Sequence, residues 1–126
     1  MNKIENCEKA FRKLTSFLAE PQNSEINQAG VIQAFEYNFE VFWKAFKQIA
    51  VEQGVADTQL PRQALIAAFH LKLIEDQTIW VQMMKDRNNT SHTYNEEIAL
   101  EIYERIKTQY ASEFEMALMN MKNFTR

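Results

Sequence analysis

Apolar residues recur along this chain in steps of three and four. Ile4, Cys7, Phe11, Leu14 and Leu18 mark one face of an amphipathic helix. Pro21, within EPQNS, ends it. Asn23 or Ser24 is then placed to cap a second helix, which meets no breaker before Gly54. In that helix Ile32, Phe35, Phe39, Phe42, Phe46 and Ile49 form one stripe, while Val31, Tyr37, Val41 and Trp43 lie off it. Such a helix is ~45 Å long and has more apolar width than one partner covers. The surplus predicts an oligomer interface, most simply a two-fold homodimer.

The next break is ADTQLPRQ, with Asp57 or Thr58 ahead of Pro61, and a third helix is expected from near Arg62 to Leu73. LIEDQT reads as a short turn or kink. Ile79, Trp80, Met83 and Met84 then give a fourth helical stripe. DRNNTSHTYN is the most polar stretch of the chain, built of residues that prefer caps and turns, and predicts a loop. A long last helix follows through Ile98, Ile102, Ile106, Tyr110, Phe114, Leu118 and Met121. Thr93-x-x-Glu96 fits a capping box at its start, and Glu96 and Glu97 match the positive helix end. There are no repeats and no linker. Residues 1–126 therefore read as one domain, an all-α, antiparallel up-and-down bundle of four or five helices.

Composition supports this. Two Gly and two Pro among 126 residues are too few for folds that spend turn residues on every connection. A 46% hydrophobic share supplies a core. Fourteen basic against 17 acidic residues give a net charge of −3, so binding to nucleic acid mainly through counterion release is disfavoured. A small RNA site with one or two well-placed cations remains compatible with that balance. Cys7 is the sole cysteine, which suits a reducing compartment. MNKIENCEKAFRK carries charges throughout, unlike a signal peptide, and no uncharged apolar run approaches the ~18 residues of a membrane span. A cytoplasmic protein away from membranes is expected.

Much chemistry is excluded. Of the two histidines, His70 and His92, neither follows a Glu-x-x, so a ferritin-like di-metal site is out. One cysteine and distant histidines make no zinc set. Gly30 and Gly54 stand alone, so no phosphate-cradling loop exists. No Asp-x-Asp or Asp-x-Glu pair is present to hold magnesium for nucleotidyl transfer. No metal and no cofactor is expected. His70, among apolar helical neighbours, reads as a helix-face histidine, and the methionines read first as core or interface filling.

One segment remains, Arg87-Asn88-Asn89-Thr90-Ser91-His92-Thr93-Tyr94. In a continuous helix Arg87 and His92 would lie ~140° apart, but a bend at the loop formers brings them together. Arg87 also continues the stripe of Trp80, Met83 and Met84, which turns it towards the bundle. A guanidinium, an imidazole and a phenol in one pocket suit phosphodiester work: Arg binds phosphate, and His moves protons near neutral pH. The same residues also admit a purely structural reading. Arg87 then complements a helix end, His92 caps a turn and Tyr94 packs at a helix start. Glu96 and Glu97 weigh on that side, since they already supply negative charge to the last helix.

Arg87, His92 and Tyr94 resemble the R-x4-H-x-Y signature of prokaryotic HEPN proteins, in the subgroup of nucleotidyltransferase substrate-binding proteins. The polar Asn88 after Arg87 fits the same pattern, and PRQALIAAFHLKLIEDQTIWVQMMKDRNNTSHTYNEE resembles that subgroup's most typical block. The resemblance implies a dimeric helical bundle with two copies of Arg87 and His92 near one cleft. It implies metal-independent RNA cleavage, with Arg87 on the scissile phosphate, His92 as general base and acid, and Asn88 orienting the pair. It also implies a separate minimal nucleotidyltransferase as partner in a toxin–antitoxin pair, attaching AMP to Tyr94. The alternative within the same resemblance is a non-catalytic substrate-binding subunit of a two-protein nucleotidyltransferase.

Overall fold

The computed structural model describes residues 3–20, 25–90 and 95–125. The turn at Pro21, the caps expected at Asn23 or Ser24, and Ser91, His92, Thr93 and Tyr94 lie outside them. Among the described residues every regular element is a helix: α1 (Lys3–Leu18), α2 (Glu25–Glu52), α3 (Pro61–His70), α4 (Gln77–Thr90), α5 (Glu96–Arg105) and α6 (Ala111–Phe124). A π-helical turn, Ile106–Tyr110, joins α5 to α6 without a break in helical backbone, making one long rod. Counted this way, the described residues form five helices.

The long helix α2 is the spine. Phe35, Phe39, Phe42 and Phe46 are fully buried along it, as the stripe predicts. Phe42 meets Phe114 of α6 at 4.9 Å between ring centroids, and Phe46 meets Trp80 of α4 edge-on at 5.2 Å. Trp80 in turn stands edge-on to Phe114, so three helices share one aromatic knot. Each such pair adds about 0.5–1.5 kcal/mol beyond its area burial. Asn38, also buried, donates its Nδ2 to the carbonyl oxygens of Ala10 at 2.9 Å and Ala34 at 2.8 Å, bolting α1 to α2. Gly54 closes α2 at φ +80, the left-handed region that favours glycine, and the Val55 amide donates back to Ala50.

Three sequence expectations change. Val31 and Trp43, assigned above to an oligomer interface, are buried within the chain, because α2 packs against several helices rather than one. Only Tyr37 of the off-stripe set stays well exposed. The third helix stops at His70, three residues early, and Lys72 turns the chain at φ 64. The cap of the last rod is Asn95, whose Oδ1 accepts from the Glu97 and Ile98 amides. The described helix thus starts two residues later than the Thr93-x-x-Glu96 box expects, and Thr93 itself lies outside the described residues. Asn95→Ala should therefore cost about 1 kcal/mol, read as a lowered thermal midpoint, whereas a capping role for Thr93 would leave Asn95→Ala neutral.

The rod also explains its own irregularity. Its stripe steps by four from Ile98 to Leu118, and each step of four overshoots a helical turn by ~40°. Left uncorrected, the apolar face would drift off the core. The wider π turn absorbs the excess, and Ile106, Tyr110 and Phe114 all stay fully buried.

Candidate functional site

The polar segment begins as helix rather than loop. α4 continues through Thr90, so Arg87 and Asn88 sit on its last turn and the expected bend cannot start before residue 91. Poor intrinsic helix formers are overridden here by contacts that hold the turn from two sides.

On one side, Arg87 reaches α2. Its Nη2 lies 2.7 Å from Glu40 Oε2, joining side chains that are each about one-third exposed. Glu40 also accepts from Trp43 Nε1 at 3.2 Å and pairs with Lys44 at 3.1 Å. Partial burial works against ionisation of Glu40. The hydrogen bonds from Trp43 and Lys44 and the charge of Arg87 outweigh it and hold the carboxyl below the usual carboxylate range.

On the other side, Asp86 reaches the rod. It is 2% exposed, a carboxylate inside the bundle. Arg105 Nε and Nη2 grip its two oxygens at 2.8 and 2.9 Å, a bidentate pair. Tyr110 donates its hydroxyl at 2.5 Å, and Gln82 adds a bond at 3.2 Å. Burial first, then the bond to Asp86, pushes the Tyr110 phenol well above its ordinary value, so it stays a donor. The bond to Asp86 likewise raises Arg105, against the opposing effect of burial.

Asn88 and Asn89 are exposed. Lys85, two residues before Arg87, faces away from it. It lines a groove between α3 and α4 with Arg62 and Phe69, and does not join the Arg87 site. A second groove of about 610 Å³ opens between the starts of α2 and α5, floored by Ala29, Ile32 and Leu100. Its charged rim is Glu25 and Glu96, unsuited to phosphate. His70 is exposed at the end of α3, beside Phe69. Cys7 is buried, its thiol pushed up to about 12 chiefly by burial, which makes it inert. Among the described residues no three His, Cys, Asp or Glu side chains gather to hold a metal ion, and no helix is long and apolar enough to cross a membrane.

The sequence pattern of the family described as nucleotidyltransferase substrate binding protein like matches residues 2–123. The chain belongs to this family. A protein of Haemophilus influenzae named "Probable ribonuclease HepT" is 33% identical over 82 residues, covering 62% of this chain and 56% of that protein. The alignment thus spans little more than half of that relative's length. A crystal structure from Thermus thermophilus is 31% identical, with a TM-score of 0.82 over 92% of this chain and 98% of the other. Structural likeness extends further, at identities that speak only for the fold. HI0074 of H. influenzae, described as the substrate binding domain of a nucleotidyltransferase, superposes at a TM-score of 0.84 with 24% identity, covering 94% of this chain and 98% of its own. A mutant toxin–antitoxin complex of MntA with HepT gives 0.79 at 18% identity, covering 96% and 95%. The family's all-helical bundle is the fold described above.

Glu40, which meets Arg87, was not marked at this site by the sequence, and neither were Asp86, Arg105 and Tyr110 behind it. The only trace of these last three in the sequence is the four-residue spacing through Ile106 and Tyr110, which marks the wide turn but not its partner.

Proposed function

We propose that this chain is the HEPN-type toxin component of a nucleotidyltransferase/HEPN pair and a metal-independent endoribonuclease. The observation that carries this reading is the partly exposed Arg87 guanidinium on the last turn of α4, five residues before His92 in an R-x4-H-x-Y segment. The relative named as a ribonuclease supports it.

In this reading two copies of the chain share one cleft. His92 takes the proton of an RNA 2′-hydroxyl, whose oxygen attacks the neighbouring phosphorus. The bond from phosphorus to the 5′ oxygen breaks, and that oxygen receives a proton from the His92 imidazolium or its symmetry mate. Arg87 binds the phosphate and offsets the charge that builds on its oxygens in the transition state. Asn88 orients the pair. Because the nucleophile and the proton carriers are organic groups, the step requires no metal. The partner nucleotidyltransferase transfers AMP from ATP to the Tyr94 phenol oxygen and releases pyrophosphate. The added bulk and negative charge close the cleft to RNA.

The chemistry of the ends tests this. RNA incubated with the chain in EDTA should acquire 2′,3′-cyclic phosphate and 5′-hydroxyl termini. Fragments ending in 5′-phosphate, or an absence of fragments, would overturn the reading.

A second reading is favoured by Glu40. It places a carboxylate on Arg87, where a substrate phosphate would otherwise bind. Here the chain is a non-catalytic substrate-binding subunit of a two-protein nucleotidyltransferase, expected to form a stable heteromer and to leave RNA intact.

A further inference from the structure

Two features of the bundle converge on the residue next to Arg87, and the first is hard to explain by stability alone. The first is the Asp86–Arg105 pair. Burying a carboxylate costs solvation that an ion pair barely recovers, and an apolar pair of similar volume generally serves a core as well. The second is the π turn. It brings Tyr110 round so that its ring stacks on Phe35 at 5.4 Å while its hydroxyl reaches Asp86. Wide turns of this kind concentrate at functional sites.

We propose that Asp86, Arg105 and Tyr110 are positioning residues that fix the last turn of α4 and so set the direction of the Arg87 guanidinium. Asp86 and Arg87 are adjacent in the chain, so their side chains leave the helix ~100° apart. One is anchored on the rod and the other meets α2 at Glu40. Gripped on both sides, a turn of Asp86-Arg87-Asn88-Asn89-Thr90, whose composition favours fraying, keeps helical form up to Thr90. Arg105 takes both oxygens of Asp86, and Tyr110 and Gln82 supply the remaining donors, so the buried carboxylate is fully engaged. The network does not itself bind phosphate in this scheme. It acts through Arg87, and its catalytic consequence rests on the ribonuclease reading above.

Tyr110→Phe is the discriminating variant, because it keeps the ring against Phe35 and deletes only the hydroxyl. In the full chain, amide hydrogen exchange over residues 84–90 should speed up while the rest of the bundle exchanges as in the wild type. At saturating RNA the cleavage rate should fall on the order of 10-fold, within the range that small misplacements produce, with RNA affinity unchanged. Arg105→Lys, which keeps the charge but loses the bidentate fork, should do the same. Unchanged exchange over 84–90 would overturn the proposal, as would accelerated exchange with an undiminished cleavage rate in a wild type that cleaves. A wild type that does not cleave RNA removes the ribonuclease reading, and the exchange comparison alone then decides whether the network holds the turn.

Discussion

Arg87→Ala should lower the rate of RNA cleavage by about 10²–10³-fold, the usual loss when a group that stabilises transition-state charge is removed. It should do so without unfolding the protein. The Arg87–Glu40 pair is partly exposed, and pairs of that kind contribute roughly 0–1 kcal/mol. Glu40 also keeps its bonds from Trp43 and Lys44 when Arg87 is gone, so no buried charge is left unpaired. The thermal midpoint should therefore stay within a few degrees of wild type, measured beside the cleavage assay on the same preparation. Arg87→Lys should recover little, because a point charge cannot reproduce the planar fork on a phosphate. A variant that loses activity only in proportion to lost folding would instead assign Arg87 a structural role.

Asp86→Ala should have the reverse profile, with stability falling first. Arg105 and Tyr110 lose the acceptor on which they converge, and the Tyr110 hydroxyl is left inside the core. Breaking a buried pair from one side costs about 3–5 kcal/mol. Arg105 is 30% exposed and regains some water, which places the expected loss near the lower figure. In a chain of this size that is a drop of roughly 10 °C in thermal midpoint. Asp86→Asn, which keeps one acceptor oxygen and the shape, should lose less. Equal midpoints for Asp86→Ala and wild type would show that the network carries no weight in the fold.

The two cases differ in how far the sequence announces them. The core was legible because burial imposes a period. Phe35, Phe39, Phe42 and Phe46 recur every three or four residues and all are buried in the structure. Gly54 ends α2 for the reason its sequence position suggests, a positive φ. Arg87 could be singled out through its place in the R-x4-H-x-Y resemblance, since the residues alone also admit a structural reading, and it sits partly exposed at the end of α4. What could not be read are pairings between distant segments. Nothing local marks Asp86 as buried, since Arg105 and Tyr110, which hold it inside the bundle, lie 19 and 24 residues away across a turn whose width depends on packing. The same tertiary ties extended α4 through residues that favour turns. They also let α2 spend its surplus apolar width inside the chain, at Val31 and Trp43. Asn95 took the cap expected of Thr93 because any short oxygen-bearing side chain at the right register serves.

The central claim is that His92 and Arg87 make this chain a ribonuclease, and one comparison tests it most directly. The chain is expressed without a nucleotidyltransferase, its intact mass is checked to confirm an unmodified Tyr94, and it is incubated with tRNA in EDTA beside His92→Ala prepared identically. Cleavage by the wild type and at least 10²-fold less by the variant, the least that general acid–base catalysis contributes, is the predicted result. Cleavage of equal rate in both, or in neither, contradicts it.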